Sequence, residues 1–241
     1  MSQFQGYADE PRYMLSAAEA APNARAAFLK SVYLHLFGAI VACTALTAVF
    51  MTSATFNNAI QGLFVSRFGG LIVVFGMLLA TMLASSWAHS RAGKGIQYAG
   101  LGLAVAAEAV MFAILLPFAE RVAPGVSQSA AVVTLAIFAT LTAVVVYSGV
   151  NFNFLAPILW ASAIAAMVAI VLSFFMHTAL GPWFAAAMIV VASGYILYDT
   201  SRILREYPTD AHVGASLELF TSIATLFWYV IRLLMQLKNG D

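Results

Sequence analysis

Charged residues are scarce in this chain of 241 residues. Asp, Glu, Lys and Arg together make up only 9% of it, while hydrophobic residues make up 63%. A water-soluble domain is typically about 25% charged. There is one cysteine, Cys43, which excludes an intrachain disulfide, and it stands in an apolar run with no metal-binding motif around it. Together with a mean hydropathy of +0.92, these shortages predict an integral membrane protein.

Catalytic signatures are also missing. The sequence contains no His-Glu-x-x-His and no Gly-x-Gly-Asp, and Ser193-Gly194 lacks the glycine that a rhomboid-type Gly-x-Ser-Gly motif needs two residues before the serine. We therefore predict that the protein is not an enzyme and uses no cofactor. The net charge of +1 gives no reason to expect a nucleic-acid partner.

Seven apolar segments are each long enough to cross a bilayer, which takes about 20 residues of helix. The predicted segments are 28–51, 68–87, 96–118, 127–147, 154–176, 183–204 and 214–235. Residues 122–198 contain no charged side chain, and turn residues divide them near 148–153 and 177–182. We predict a loop over 53–67, which contains several Asn and Gln residues. The predicted fold is an all-α, seven-helix transmembrane domain over 25–241, with six helices around the last one.

The first 24 residues are polar and do not resemble a signal peptide, so we predict a flexible tail over 1–24. The Lys and Arg residues of the loops predict that this tail is cytoplasmic. With seven crossings, seven of these residues lie on the side of the tail, against four on the other side. The seven are Arg12, Arg25, Lys30, Arg91, Lys94, Arg202 and Arg205, and the four are Arg67, Arg121, Arg232 and Lys238.

The last segment has an alternative interpretation. Only 13 residues separate Glu218 from Arg232, which is about 20 Å of helix, whereas the hydrocarbon core of a bilayer is about 30 Å thick. The segment either spans the membrane largely buried in protein or enters and leaves on one side. A re-entrant segment would raise the bias of Lys and Arg to nine against two.

Three carboxylates stand in or beside apolar segments, where a dehydrated charge is costly and needs a reason. Asp199 lies near the end of the sixth segment, Glu218 near the start of the seventh, and Glu108 near the middle of the third. Glu108 has no basic neighbour in sequence, and His35 is a candidate partner. Helical spacing places Glu218 on a polar stripe of the seventh segment with Ser222, Thr225 and Tyr229. This stripe either bonds neighbouring helices together or lines a polar pathway.

The roles of Asp199 also remain open. Arg202, three residues later, can form an ion pair with it at the end of the helix. Alternatively, Asp199 faces the seventh segment and attracts cations. The short linker between the two segments predicts that Asp199 and Glu218 approach each other. Two close carboxylates in a partly dehydrated site cannot both ionise cheaply, so the pair would share a proton or hold a cation such as calcium.

Three short motifs carry a resemblance to a known family. Tyr198-Asp199-Thr200, Ala215-Ser216-Leu217 and Leu226-Phe227, with the polar loop between them, resemble the Bax inhibitor-1/YccA family over about residues 190–235. The seven-segment layout agrees along most of the chain. The resemblance implies a multi-pass membrane protein with a cytoplasmic amino terminus.

The resemblance also implies two alternative functions. Calcium-leak members of the family have one aspartate on each of the last two helices, which act as a pH-sensitive gate. Asp199 matches the first aspartate, but Ser222 stands in place of the second, and Glu218 lies one turn away. This departure resembles the YccA-like branch, whose bacterial inner-membrane members modulate the membrane AAA protease FtsH in the stress response. We therefore expect an FtsH modulator, with a pH-sensitive calcium leak as the alternative.

Overall fold

The computed structural model describes residues 16–65, 68–90, 93–178 and 180–238. Within these ranges the chain forms eight α-helices and one short 3-10 helix. The α-helices are α1 (Pro22–Thr52), α2 (Ala54–Val65), α3 (Gly69–Ala88), α4 (Lys94–Val122), α5 (Val126–Ser148), α6 (Ala156–Met176), α7 (Pro182–Arg205) and α8 (His212–Lys238), and the 3-10 turn (Asn153–Leu155) precedes α6. All except α2 are long and apolar enough to cross a membrane. This confirms the predicted all-α bundle of seven membrane helices.

The predicted loop over 53–67 is wrong, because α2 occupies most of it. Ser53 begins this helix in the usual way for a serine cap, with its hydroxyl accepting a hydrogen bond from the backbone N–H of Phe56 at 3.3 Å. The half-buried residues Phe56, Ile60 and Leu63 recur at helical spacing. The ring of Phe56 also stacks on Phe50 at the end of α1. Polar residues between these positions obscured an amphipathic helix too short to span a bilayer.

The last helix, α8, lies at the centre of the bundle, as predicted, but in the described part of the chain five membrane helices rather than six pack around it, because α6 packs against α7 instead. Helix α8 packs against α1, α3, α4, α5 and α7, and more than half of the residues in its most apolar stretch are buried. It is one continuous helix of 27 residues, about 40 Å long, so the re-entrant alternative is not adopted. Its charged residues are accommodated because protein, rather than lipid, surrounds it.

Two buried clusters meet on α8. Leu219 belongs to the cluster built with α1, α3 and α4, and Leu226 belongs to the cluster built with α4, α5 and α7. Lipid tails are as apolar as these side chains, so close packing of the helices, rather than exclusion of water, stabilises such contacts. The two clusters therefore determine the position of α8 relative to every helix around it.

The helices α3 and α4 approach each other very closely at Gly100. A Cβ atom at this position would lie 2.6 Å from the Ala84 carbonyl oxygen and 2.6 Å from the Ala88 backbone nitrogen. Real atoms do not approach so closely, so only glycine allows the two helices to pack at this distance.

The described part of the predicted tail is packed against the bundle. The backbone N–H of Ala17 donates to the Tyr207 carbonyl at 2.8 Å, Ala17 is buried, and Ser16 pairs with Pro208. The structure therefore has an ordered segment from residue 16 and helix α1 from Pro22, where the flexible tail was predicted to continue to residue 24. Residues 1–15, most of that tail, lie outside the described ranges.

One end of the bundle carries most of the contacts between loops. We call it the proximal end and define it as the end at which α1, α4, α6 and α8 begin and α3, α5 and α7 finish. Here Lys94 donates to the carbonyl of Asp210, and Ser201 donates to the side chain of Asn151 at 3.4 Å. These bonds join the starts of α4 and α8 and the ends of α5 and α7.

Candidate functional site

A buried carboxylate lies between the last two helices. The Ser222 hydroxyl of α8 donates a hydrogen bond to Asp199 Oδ2 of α7 at 2.5 Å. Asp199 is only 6% exposed, and Ser222 is buried as well. Asp199 therefore faces α8 rather than the loops. Its direct partner is Ser222, the position that the resemblance to calcium-leak proteins compares with a second aspartate.

The predicted polar stripe of α8 faces α7 along much of its length. Beyond Ser222, the ring of Tyr229 packs against Phe184 at the start of α7. One turn further, Arg232 donates to the carbonyl of Leu180 at 3.1 Å. The stripe thus meets protein, as the cost of exposing polar groups to lipid requires.

Glu218, the other predicted acidic residue, is bound by two basic groups. Its Oε1 atom lies 3.3 Å from His89 Nε2 and 3.5 Å from Arg202 Nη1. His89 follows the last residue of α3, and Arg202 is on the last turn of α7, so Glu218 joins three helices at the proximal end. The Glu218 side chain is 18% exposed, and partial burial strengthens such a pair relative to one in open water.

The Glu218 contact favours the protonated form of His89. Hydrogen bonding to Glu218 raises the pKa of His89 above its ordinary value of 6.5, although burial opposes the shift. The Ser85 carbonyl lies 2.8 Å from Nδ1 and can only accept, so Nδ1 carries a proton in both states. A neutral His89 therefore offers Nε2 as an acceptor, and a protonated one offers it as a donor.

Tyr207 is the group that can respond to this change. Its hydroxyl lies 3.0 Å from His89 Nε2. Burial raises the pKa of Tyr207, and the negative charge of Glu218 adds to the effect, so the phenol keeps its proton. It can donate to neutral His89, whereas protonated His89 donates through Nε2 toward Glu218. The protonation of His89 therefore decides whether its Nε2 atom accepts a hydrogen bond or donates one, and the Tyr207 hydroxyl can also donate to Glu218.

Two aromatic rings lie close to the guanidinium of Arg202. Its guanidinium carbon lies 5.3 Å from the ring centroid of Tyr198 and 5.5 Å from that of Tyr207, distances at which cation–π attraction acts. The nearest carboxylates are Glu218 and Glu206, the latter 3.7 Å from Nε. The predicted ion pair between Asp199 and Arg202 is not the contact formed: Asp199 is bound by Ser222, and Arg202 by the two glutamates.

The structure therefore resolves the predicted acidic pair into two neighbouring sites. Asp199 with Ser222 forms the inner site, and Glu218 with His89, Arg202 and Tyr207 forms the proximal site. Sequence reasoning missed His89 and Tyr207. The position of His89 directly after an apolar helix is the feature of the sequence that indicates it, because a side chain there can reach back to the end of the bundle.

Glu108 does not pair with His35, contrary to the suggestion from sequence. His35 Nε2 lies 2.9 Å from the Tyr98 hydroxyl, and its Nδ1 lies 2.7 Å from the Ser31 carbonyl. Within the described ranges, no hydrogen bond reaches the Glu108 carboxylate. The same part of the chain contains no group of three or more His, Cys, Asp or Glu residues that could hold a metal ion.

The fold and the two sites define a class: a multi-pass helical membrane protein with a buried carboxylate between its last two helices. The family model described as inhibitor of apoptosis-promoting Bax1 matches residues 25–239. The chain therefore belongs to the Bax inhibitor-1 family.

Relatives of this chain come from a yeast, a virus and a bacterium, and the first two match nearly the whole chain. The chain is 26% identical over 239 residues to Bax inhibitor 1 of Schizosaccharomyces pombe, covering 97% of this chain and 85% of the yeast protein. It is 27% identical over 231 residues to the Golgi anti-apoptotic protein of vaccinia virus, covering 94% and 92% of the two chains. A bacterial relative, an uncharacterized protein of Neisseria meningitidis, is 26% identical over 55% of this chain and 59% of its own.

Proposed function

We propose that this protein is a proton-regulated cation leak, with calcium as the candidate cargo, whose pathway passes between α7 and α8. The observation that supports it best is Asp199, a carboxylate buried at the contact between two membrane helices, with a serine hydroxyl as its hydrogen-bond donor. An intramembrane carboxylate is costly, and such residues mark ion or proton pathways by default. If the contact opened, the carboxylate would offer a negative site to a passing cation.

In this proposal Ser222 is the closing contact. A serine can donate to an ionised aspartate and can accept from a protonated one, so the pair survives in both states. Two aspartates in the same positions would repel each other when both are ionised. The serine therefore makes the inner site less sensitive to pH than an aspartate pair would be.

The pH response is assigned instead to the proximal site. When His89 is protonated, its pair with Glu218 holds the end of α3 against the start of α8. When it is neutral, the attraction is lost, and among the described residues Arg202 remains as the cationic partner of Glu218. We expect a tighter proximal end, and hence less leak, in acid than in alkali.

The candidate cargo does not require a permanent site. Calcium is usually held by six to eight oxygens, and each carboxylate here is already engaged by neighbouring side chains. Asp199 and Glu218 would act as successive weak contacts for a moving ion, which is what conduction requires.

Calcium flux into liposomes containing only this protein and a calcium-sensitive dye tests the proposal. Asp199→Asn should abolish the flux, because it removes the charge and keeps the shape. Asp210→Asn is the matched control: it removes an exposed carboxylate at the same end of the bundle, outside both sites, and should leave the flux unchanged. Absence of flux from the folded wild type at both acidic and alkaline pH would overturn the proposal.

A second candidate function is modulation of the membrane AAA protease FtsH in a bacterial inner membrane, with the amino terminus in the cytoplasm. The observation favouring it is that Ser222 replaces one carboxylate of the calcium-leak gate. Residues 1–15 would then engage the protease from the proximal end. Co-purification of the protease by the full chain, lost on deletion of residues 2–15, would support this function when the liposomes show no flux.

A further inference from the structure

A cavity opens on the side of α8 formed by α1, α4 and α5. Its volume is about 430 Å³, within the range of about 300–1,000 Å³ of small-molecule sites. The walls are contributed by all four helices. Across the described ranges, α1 and α5 each pack against α8 but make no extensive contact with each other. The cavity fills the gap that remains between them.

The mouth of the cavity faces outward from the bundle. Met51 on α1 and Leu135 on α5 both line it, and Leu135 is 54% exposed. Both residues belong to helices that can span the membrane, so the mouth opens toward lipid. At the other extreme, the buried side chains of Phe220 and Ala224 form the floor on α8.

The lining is almost entirely hydrocarbon, with a polar end. Gln128 lines the cavity on the first turn of α5, and Met51 lies on the last turn of α1, so this end is close to the membrane surface opposite the proximal end. Deeper inside, the Thr47 hydroxyl donates to the Ala109 carbonyl of α4. Thr134, only 2% exposed, has no hydrogen-bond partner for its own hydroxyl.

We propose that this cavity binds one acyl chain of a membrane phospholipid, with the ester group at the Gln128 end. An apolar cavity of this kind does not retain water well. Because its mouth opens into the hydrocarbon of the membrane, a lipid acyl chain is the molecule that can enter it. A Gln128 amide N–H can donate to an ester carbonyl at the membrane surface. The chain then extends along Ala131 and Thr134 to the floor formed by Phe220.

The bound chain would touch the face of α8 that carries Phe220 and Phe227, whereas Ser222 bonds to α7 on another face. Lipid in the cavity thus supports the central helix from the side opposite the inner site. This binding site does not depend on whether the protein conducts ions.

Photo-crosslinking tests the site. The full chain is placed in nanodiscs of phosphatidylcholine carrying a diazirine near the middle of one acyl chain, irradiated, and mapped by mass spectrometry. The expected result is adducts on residues 220–227 of α8, which a lipid chain reaches through the cavity. Adducts confined to exposed faces would mean surface lipid only and would overturn the proposal.

Blocking variants make the test specific. Ala131→Trp fills the cavity from α5, and Ala48→Phe, at an exposed position on α1, fills it from the opposite wall. Each should abolish the α8 adducts. Ala136→Trp, exposed on α5 and outside the lining, should not change them. Because Ala48 is exposed, Ala48→Phe should not disturb folding, and it tests the site if Ala131→Trp fails to fold. Adducts that persist in the folded blocking variants, or crosslinks to a second copy at these residues, would contradict the site.

Discussion

Ser222 and Asp199 join α8 to α7 through one buried hydrogen bond of 2.5 Å. The acceptor is a carboxylate and the donor is a neutral hydroxyl, so the contact contains one ionisable group instead of two. This chemistry separates the two tasks that a pair of carboxylates would combine. The inner site joins the two helices, and in the proposed function the proximal site around His89 carries the response to protons.

Removing the donor should destabilise the protein. In Ser222→Ala, Asp199 remains buried without its hydrogen bond, which costs about 1–3 kcal/mol. For a chain of this size, this corresponds to a melting temperature lower by about 2–4 °C per kcal/mol, measured by thermal denaturation in detergent. Thr225→Ala, at a half-buried position on the same helix, is the control and should have a smaller effect. Equal losses for both variants would indicate that the hydroxyl of Ser222 has no special role.

Introducing a second carboxylate at the inner site should make the stability of the protein depend on pH. In Ser222→Asp, the two aspartates can share a proton in acid but repel each other once both are ionised. We expect the variant to lose stability relative to the wild type as the pH rises from 5 to 9. Ser222→Asn, nearly the same size but uncharged, should not lose stability in this way. A flat difference between Ser222→Asp and wild type across this range would contradict the arrangement of the inner site.

The ion pair of His89 with Glu218 should stabilise the protein in acid. Because the pKa of His89 is raised in the folded state, the stabilisation is complete below the ordinary value of 6.5 and disappears as the pH rises through the raised value. His89 is 35% exposed, so solvent screening limits the effect to about 1 kcal/mol or less.

Thermal melts of His89→Gln and wild type across this pH range measure the effect. The difference in melting temperature should be present at pH 5.5 and absent at pH 9. Lys94→Gln, which removes a cation at the same end of the bundle, controls for a general effect of charge and should show no such trend. A difference that grows toward alkaline pH would reverse the sign and refute the assignment.

Gly100→Ala should be among the more damaging small substitutions in the chain. Its new methyl group would meet backbone atoms of α3 at 2.6 Å, and overpacking typically costs about 1–3 kcal/mol. Gly102→Ala, two residues along the same helix with open space around it, is the matched control. It should be neutral or stabilising by up to about 1 kcal/mol, because alanine favours helix. Similar melting temperatures for the two variants would show that α3 and α4 do not pack this closely.

The apolar pattern by itself determined the seven membrane helices and the central place of the last one. This succeeds because a membrane helix must satisfy its own backbone and must be about 20 residues long, and both requirements are visible in the order of residues. The polar stripe of α8 was visible for a similar reason, since helical spacing alone puts Ser222 and Tyr229 on one face. The helix over 54–65 was not predicted because it is too short and too polar to resemble a membrane-spanning segment.

Only the tertiary structure decided which partner each carboxylate has. Asp199 and Arg202 are close in sequence, yet Asp199 bonds to a serine 23 residues away, and Glu218 bonds to the histidine that follows α3. The spacing of residues in the sequence indicates which pairs can form within one helix. It does not predict how α7 is rotated relative to α8 or that α3 and α4 cross closely at Gly100. Those depend on how side chains from distant segments pack together, and they determine which polar groups are left facing one another.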